Sequence, residues 1–352
     1  MSMSMPSKNK QVSGSQSIPR LARPLKNDKY HSGENSLAGK TDMEAEEPSN
    51  ELTAELLGSW WALSLDALIE SAGPERTLAT FKPHIINSSH AGFLFICKRM
   101  GWKTDNIEDI GRSLALMHTF FGRGVDRSLA RDDQECLIRF SSCPFSQGPR
   151  ESCMAICYYA LIGVGELIGP GYAVDMPKMM KNGDPVCVKW VRRVDATPSS
   201  DPSEWRDVEY SLQTLSKEER DWFFRAYMGE MWMLAIRAFN DLYGKEGTLK
   251  ALAPRMRADG MSLGTRFSHN NKGLGPEEAV KMVMSSLRQK VADRDDGGGL
   301  EVTECPFSSQ PEVCSLLEAF LDGLCDALRP GSGYCITQKM TDGAASCMSK
   351  VR

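Results

Sequence analysis

The sequence has no basic block longer than a few residues, no long hydrophobic run and no Cys-x2-Cys pair. Each absence closes off a class. With a net charge of −4 and no concentrated cationic stretch, nucleic acid is not an expected partner. The longest apolar run, Ala160 to Ile168, is interrupted by Gly163, Gly165 and Glu166. It is too short to span a bilayer, so no membrane association is expected. No secretory hydrophobic segment opens the chain. Disulfide frameworks belong mostly to small secreted chains, so the eleven cysteines are expected to be reduced, in a soluble cytoplasmic protein. The missing Cys-x2-Cys pair argues against a zinc finger. Histidine is scarce, with five residues, which leaves few candidates for a general base.

What is present divides the chain. Residues 1–50 are rich in Ser, Lys, Pro, Asn and Gly and poor in large apolar groups, the composition of a disordered tail. Five basic residues and no acid in the first 27 are also compatible with organelle targeting. From Glu51 onward, Leu56, Trp60, Leu63 and Ala67 recur at helical spacing, as do Trp232, Ile236, Phe239 and Tyr243. Superposing Gly58–Pro83 on Gly229–Pro254 gives nine identities in 26 positions without a gap, all at a separation of 171. Gly73/Gly244, Thr77/Thr248 and Pro83/Pro254 are among them. Chance would give about one or two at ordinary usage, so the pattern predicts an internal duplication.

The boundaries follow from this register. A first copy covers 51–195, a linker 196–215 and a second copy 216–352. The linker contains "DATPSSDPSEWRD", and Ser216 with Glu219 predicts a capping box at the start of the second copy. Each copy reads as two or three helices followed by a β-α-β-β unit, so the expected fold is α+β with a small, mostly antiparallel sheet. In the second copy Val313, Leu316, Leu317, Phe320, Leu321, Leu324 and Leu328 form one apolar helical stripe. "KNGD" at 181–184 and "TDG" at 341–343 predict the turns of the final hairpins.

The cysteines recur with the copies. "RFSSCPFSQGPRESC" ends at Cys153 and "EVTECPFSSQPEVC" at Cys314. Cys143 corresponds to Cys305, Cys153 to Cys314, and Cys187 to Cys347. The expected places are a strand end, the first turn of a helix and the last strand, which a β-α-β-β unit can bring together. Helix N-termini favour thiolate. Cys157 lies four residues after Cys153, and Glu318 four after Cys314. Such a cluster is a candidate metal site (Cys143, Cys153, Cys157 and Cys187, for a divalent ion such as zinc) or a reactive pocket. The plainer alternative is that small buried thiols are kept at equivalent core positions by common descent. His118 on "IGRSLALMHTFFG" and Glu166 are the nearby candidates for proton transfer. "ARDDQE" with "NDLYGKE" weakly matches the paired metal-binding motifs of terpene cyclases, but the first runs straight into a predicted strand.

The strand ending in Cys-Pro, the helix carrying a further cysteine, the following Gly-Tyr and the terminal hairpin with its cysteine resemble the L-2-amino-thiazoline-4-carboxylate hydrolase-like proteins. The same half-pattern is similar to four-vinyl-reductase-type ligand-binding domains. The resemblance implies a tandem hydrolase acting on a small cyclic amidine, by C–N bond opening. Only the recurrent cysteines carry the resemblance; Cys143 and Cys153 would then be catalytic, and His118 or Glu166, which lie outside the matched pattern, would move protons. The alternative it carries is a non-catalytic module for a small molecule or metal, with the two copies forming a pseudo-dimer around a pocket.

Overall fold

The computed structural model describes residues 48–120, 125–143, 150–197, 201–209, 215–271, 273–287, 289–294, 299–308 and 310–352. The amino-terminal tail lies outside them. Helices α1 (Pro48–Ala72), α2 (Pro74–Met100) and α3 (Ile107–Phe120) come first. Strands β1 (Val125–Arg131) and β2 (Glu135–Phe140) follow, then helix α4 (Arg150–Ile168) and strands β3 (Tyr172–Lys178) and β4 (Cys187–Arg193). A two-residue strand β5 (Arg206–Asp207) precedes helices α5 (Lys217–Asn270) and α6 (Pro276–Ser286). The chain closes with β6 (Lys290–Asp293), β7 (Leu300–Glu304), α7 (Pro311–Leu328), β8 (Tyr334–Gln338) and β9 (Cys347–Val351).

The molecule is α+β, with two antiparallel sheets. The first has the order β3-β4-β2-β1-β5 and the second, read in the same sense, β8-β9-β7-β6. The first sheet has two strands more than the sequence patterns suggest and the second has one more, because linker strand β5 joins the first sheet and because β1 and β6 precede the expected β-α-β-β units. Their sequences, "VDRSLAR" and "KVAD", lack the apolar alternation that marks a strand. "RDDQ" is the turn of the β1–β2 hairpin, and Asp132 has positive φ (47°), which an aspartate tolerates. That placement leaves the Asp pair on a hairpin turn, away from any helix face where a terpene-cyclase motif would need it.

Local sequence accounts for the helix boundaries. Gly73 has φ 80° and ψ 157° at the start of α2. Gly244 has φ 68° and ψ 173° and bends α5 at the corresponding place. Positive φ is the region glycine enters without a Cβ penalty. After each glycine, a threonine hydroxyl donates to its carbonyl: Thr77 to Gly73 at 2.7 Å and Thr248 to Gly244 at 2.8 Å. The capping box at Ser216 and Glu219 is present. The α7 stripe is buried from Val313 to Leu324. Gly183 and Gly343, both at φ 91°, close the expected β3–β4 and β8–β9 turns.

The linker does not hang free of the first sheet. Arg206 and Asp207 pair with β1, and buried Arg131 reaches Glu204 at 3.1 Å and the Thr197 carbonyl. The described residues share one contiguous hydrophobic core and form one compact unit. At its centre Trp60 of α1 meets Trp232 of α5, with ring centroids 4.4 Å apart, and Phe320 of α7 at 5.1 Å. Among the described residues one helix, Arg150–Ile168, is long and apolar enough by composition to cross a membrane. It packs against α2 and β3.

Candidate functional site: two cysteine clusters

All eleven cysteines are free thiols. In the second half Cys305 follows β7, Cys314 lies in the first turn of α7, and Cys347 opens β9. The three sulfurs lie within electrostatic range of one another. Burial pushes the Cys314 thiol up to about 11, and the charge Cys347 would carry adds to this. Burial also pushes Cys305 up to about 12, with Cys314 and Cys347 contributing and the Phe307 N–H opposing. Each sulfur has polar company. The Phe307 N–H donates to Cys305 at 3.4 Å and Gln289 Nε2 at 3.2 Å. The Met340 N–H donates to Cys347 at 3.2 Å. The Thr341 hydroxyl and Lys339 lie beside Cys314, and both act to lower its pKa. Lys339 also pairs with Glu318 at 3.4 Å, and Glu318 accepts from the Ile336 N–H at 3.0 Å. Glu318 therefore ties α7 to β8, the ordinary work of a carboxylate beside an unpaired strand N–H.

The first half carries its three cysteines on the like elements: Cys143 follows β2, Cys153 lies near the start of α4 and Cys187 opens β4. Cys153 and Cys187 are buried, Cys143 is half-buried, and all three join the core. The Met180 N–H donates to Cys187 at 3.3 Å, the counterpart of the Met340 contact. Register agrees as well: Phe140 lies opposite Cys187, and Val302 opposite Cys347.

One difference is confined to the first half. Cys153–Tyr159 is π-helical, whereas α7 is regular. The spacing explains it. A Cβ on Gly163 would approach the Ile86 carbonyl at 3.0 Å, and one on Gly323 the Arg257 carbonyl at 2.1 Å. Ile86 and Arg257 are 171 positions apart, so the two glycines mark the same helix crossing. From Cys153 to Gly163 is ten residues, but from Cys314 to Gly323 only nine. The extra residue is absorbed as a π-bulge, a feature frequent at functional sites. Cys157, buried, sits within it.

The other expected site residues fall in different places. His118 is buried on α3, and its ring meets Phe140 edge-on at a centroid distance of 5.0 Å. Since Phe140 is the cross-strand partner of Cys187, His118 belongs to the cysteine end of the first half. Glu166 does not. It is thirteen residues from Cys153 along α4, about 20 Å by helix rise, half-exposed and 3.9 Å from His90. Among the described residues no three His, Cys, Asp or Glu side chains come together as metal ligands, so no metal-dependent step is built on Cys143, Cys153, Cys157 and Cys187.

Sequence reading passed over Lys189. On β4 it follows Cys187 on the same face, opposite Ile138, and is 1% exposed. The signal was present in "CVKWV", where a lysine takes an inward position of an alternating strand. Comparison with protein-family models, curated proteins and solved structures returns no match to this chain.

Proposed function

We propose that the chain is a duplicated small-molecule-binding protein, in which each half offers a thiol-lined site where strand end, helix start and last strand meet. The mutual proximity of Cys305, Cys314 and Cys347 carries this reading. The duplication beneath it is supported by the matched strand orders, the two positive-φ glycines with their threonine bonds, and the paired N–H to sulfur contacts. Thiols held protonated by burial make poor nucleophiles. They are polarisable partners for a flat or sulfur-bearing ligand, so binding describes the second half better than covalent catalysis does.

A hydrolytic reading, ring opening of a small cyclic amidine, is favoured at the first half alone. There His118 adjoins the cysteine end through Phe140, and the π-bulge reshapes the helix that carries Cys153 and Cys157. Cys143 or Cys153 Sγ would add to the amidine carbon as its proton passes to His118; the ring C–N bond would then break, the departing nitrogen taking that proton, and a water molecule would hydrolyse the resulting carbon–sulfur bond to restore the thiol.

A thermal-shift titration with cyclic amidines and heteroaromatic acids tests both readings. Binding predicts a saturable rise in Tm that is lost in Cys305→Ala/Cys314→Ala or Cys143→Ala/Cys153→Ala variants of unchanged circular dichroism. Hydrolysis further predicts loss of the ring's ultraviolet absorption, abolished only by the first-half pair. No shift with any compound at millimolar concentration would remove both.

A further inference from the structure

In the second half one short turn ties two of the three thiols together. The turn Met340–Asp342 lies between β8 and β9. Its first residue donates an N–H to the Cys347 sulfur at 3.2 Å, and the side chain of the next, Thr341, lies beside the Cys314 sulfur. Consecutive Cα atoms stand about 3.8 Å apart, so a single turn meets both sulfurs. Of the neighbouring groups that act on Cys314, Cys347 acts most strongly, ahead of Thr341, Lys339 and Asp342. Cys305 is engaged otherwise, by the Phe307 N–H at 3.4 Å and the Gln289 amide at 3.2 Å.

Access divides the pair. Cys314 is buried in the first turn of α7, while Cys347 is half-buried at the opening of β9. An oxidant arriving from solvent meets Cys347 first. Behind it, the helix N-terminus, Lys339 and Thr341 all favour the Cys314 thiolate, although burial outweighs them. A reachable thiol with a second, sheltered thiol beside it is the arrangement of an attacked and a resolving cysteine.

We propose that Cys347 and Cys314 are a peroxide-responsive pair: oxidation joins them in a disulfide that pins the first turn of α7 to β9 and closes the thiol site of the second half. The Cys347 sulfur takes one oxygen of hydrogen peroxide, giving a sulfenic acid and one water. The Cys314 sulfur then attacks the sulfenic sulfur. The S–S bond forms, the S–O bond breaks, and the hydroxyl leaves as a second water with the Cys314 proton. Two thiols thus give up two electrons to one peroxide, and a dithiol reductant returns them. Because burial keeps Cys314 protonated, closure is slow and answers sustained rather than brief exposure. Closure of a site rests on the binding reading above; formation of the bond does not.

Peptide mapping of the folded protein tests it. The protein is held with millimolar hydrogen peroxide at neutral pH, its remaining thiols are blocked, and it is cut without reduction after Lys, Arg and Glu. Cleavage at Glu304, Glu312 and Glu318 places Cys305, Cys314 and Cys325 on separate peptides. The expected product is 313–318 joined to 340–350, released by dithiothreitol. It should persist in Cys305→Ala and vanish in Cys314→Ser, where dimedone instead captures the Cys347 sulfenic acid. A dominant Cys305–Cys314 link, oxidation of Cys347 with no link, or a Cys347 that peroxide does not touch would each overturn the pair. A cyclic compound whose Tm rise is lost in Cys305→Ala/Cys314→Ala should lose it on oxidation as well and regain it with dithiothreitol. A rise that survives the disulfide would overturn closure. Mapping needs no ligand, so a missing link strikes the pair alone. A link formed in a protein that no compound stabilises strikes the binding reading, and closure with it.

Discussion

At the residue scale, the thiols are governed by burial. Cys305, Cys314 and Cys325 are raised to about 12, 11 and 12, in each case chiefly because the folded protein withholds solvent from the thiolate. Cys136 is raised too. For each group the folded state holds its proton more tightly than the unfolded chain does, so stability is full below pH 9 and is lost as pH rises toward 12. The expected outcome is a Tm that is flat from pH 7 to 8.5 and falls progressively above 9, measured by circular dichroism melts. Replacing Cys305 and Cys314 together with alanine should flatten part of that decline. A melt that drops equally steeply in the double variant would show that other groups control it, such as Tyr334, also raised by burial. The same protonation predicts slow iodoacetamide labelling of Cys314 at pH 8 relative to a free peptide thiol.

At the scale of elements, close helix crossings decide the packing. At Gly323 of α7, a Cβ would stand 2.1 Å from the Arg257 carbonyl, and at Gly260 of α5, 1.9 Å from the Phe320 carbonyl. Both neighbours are backbone, so they cannot swing aside. Gly323→Ala should therefore destabilise by roughly 1–3 kcal/mol through overpacking, outweighing the ~1 kcal/mol that alanine gains in helix propensity. Urea midpoints at constant m-value would measure it, and a midpoint at or above the parent's would show that the crossing yields. The apolar stripe of α7 could be read from the sequence because an amphipathic helix repeats its pattern over many residues. The glycine crossing could not, since it depends on which helix lies opposite. Nor could the π-bulge, because one inserted residue leaves composition unchanged and shows only when two structural landmarks fix its ends. Strands β1 and β6 were hidden for a related reason: β6 is an edge strand and β1 has only the two-residue β5 beyond it, and there polar residues serve as well as apolar ones.

At the scale of the molecule, the recurring Cys-Pro-Phe-Ser and the identities at a separation of 171 are the sequence basis for reading the chain as two tandem halves. That the halves would share a core was not visible, because periodicity marks a buried face without naming its partner. Trp60 of the first half packs on Trp232 and Phe320 of the second, and Thr53 donates to the Ser286 carbonyl at 2.5 Å. Helix α1 thus buries its apolar side largely against the other half, and unfolding either half strips cover from its neighbour. Two domains joined by a loose tether would melt independently. Here calorimetry should give one transition whose van't Hoff enthalpy approaches the calorimetric enthalpy. Trp60→Ala, which removes about 3–5 kcal/mol of packing, should lower that single Tm without splitting the peak. If it instead separates two transitions and leaves one at the parental temperature, the shared core does not couple the halves, and each cysteine cluster must be treated as the site of an independent domain.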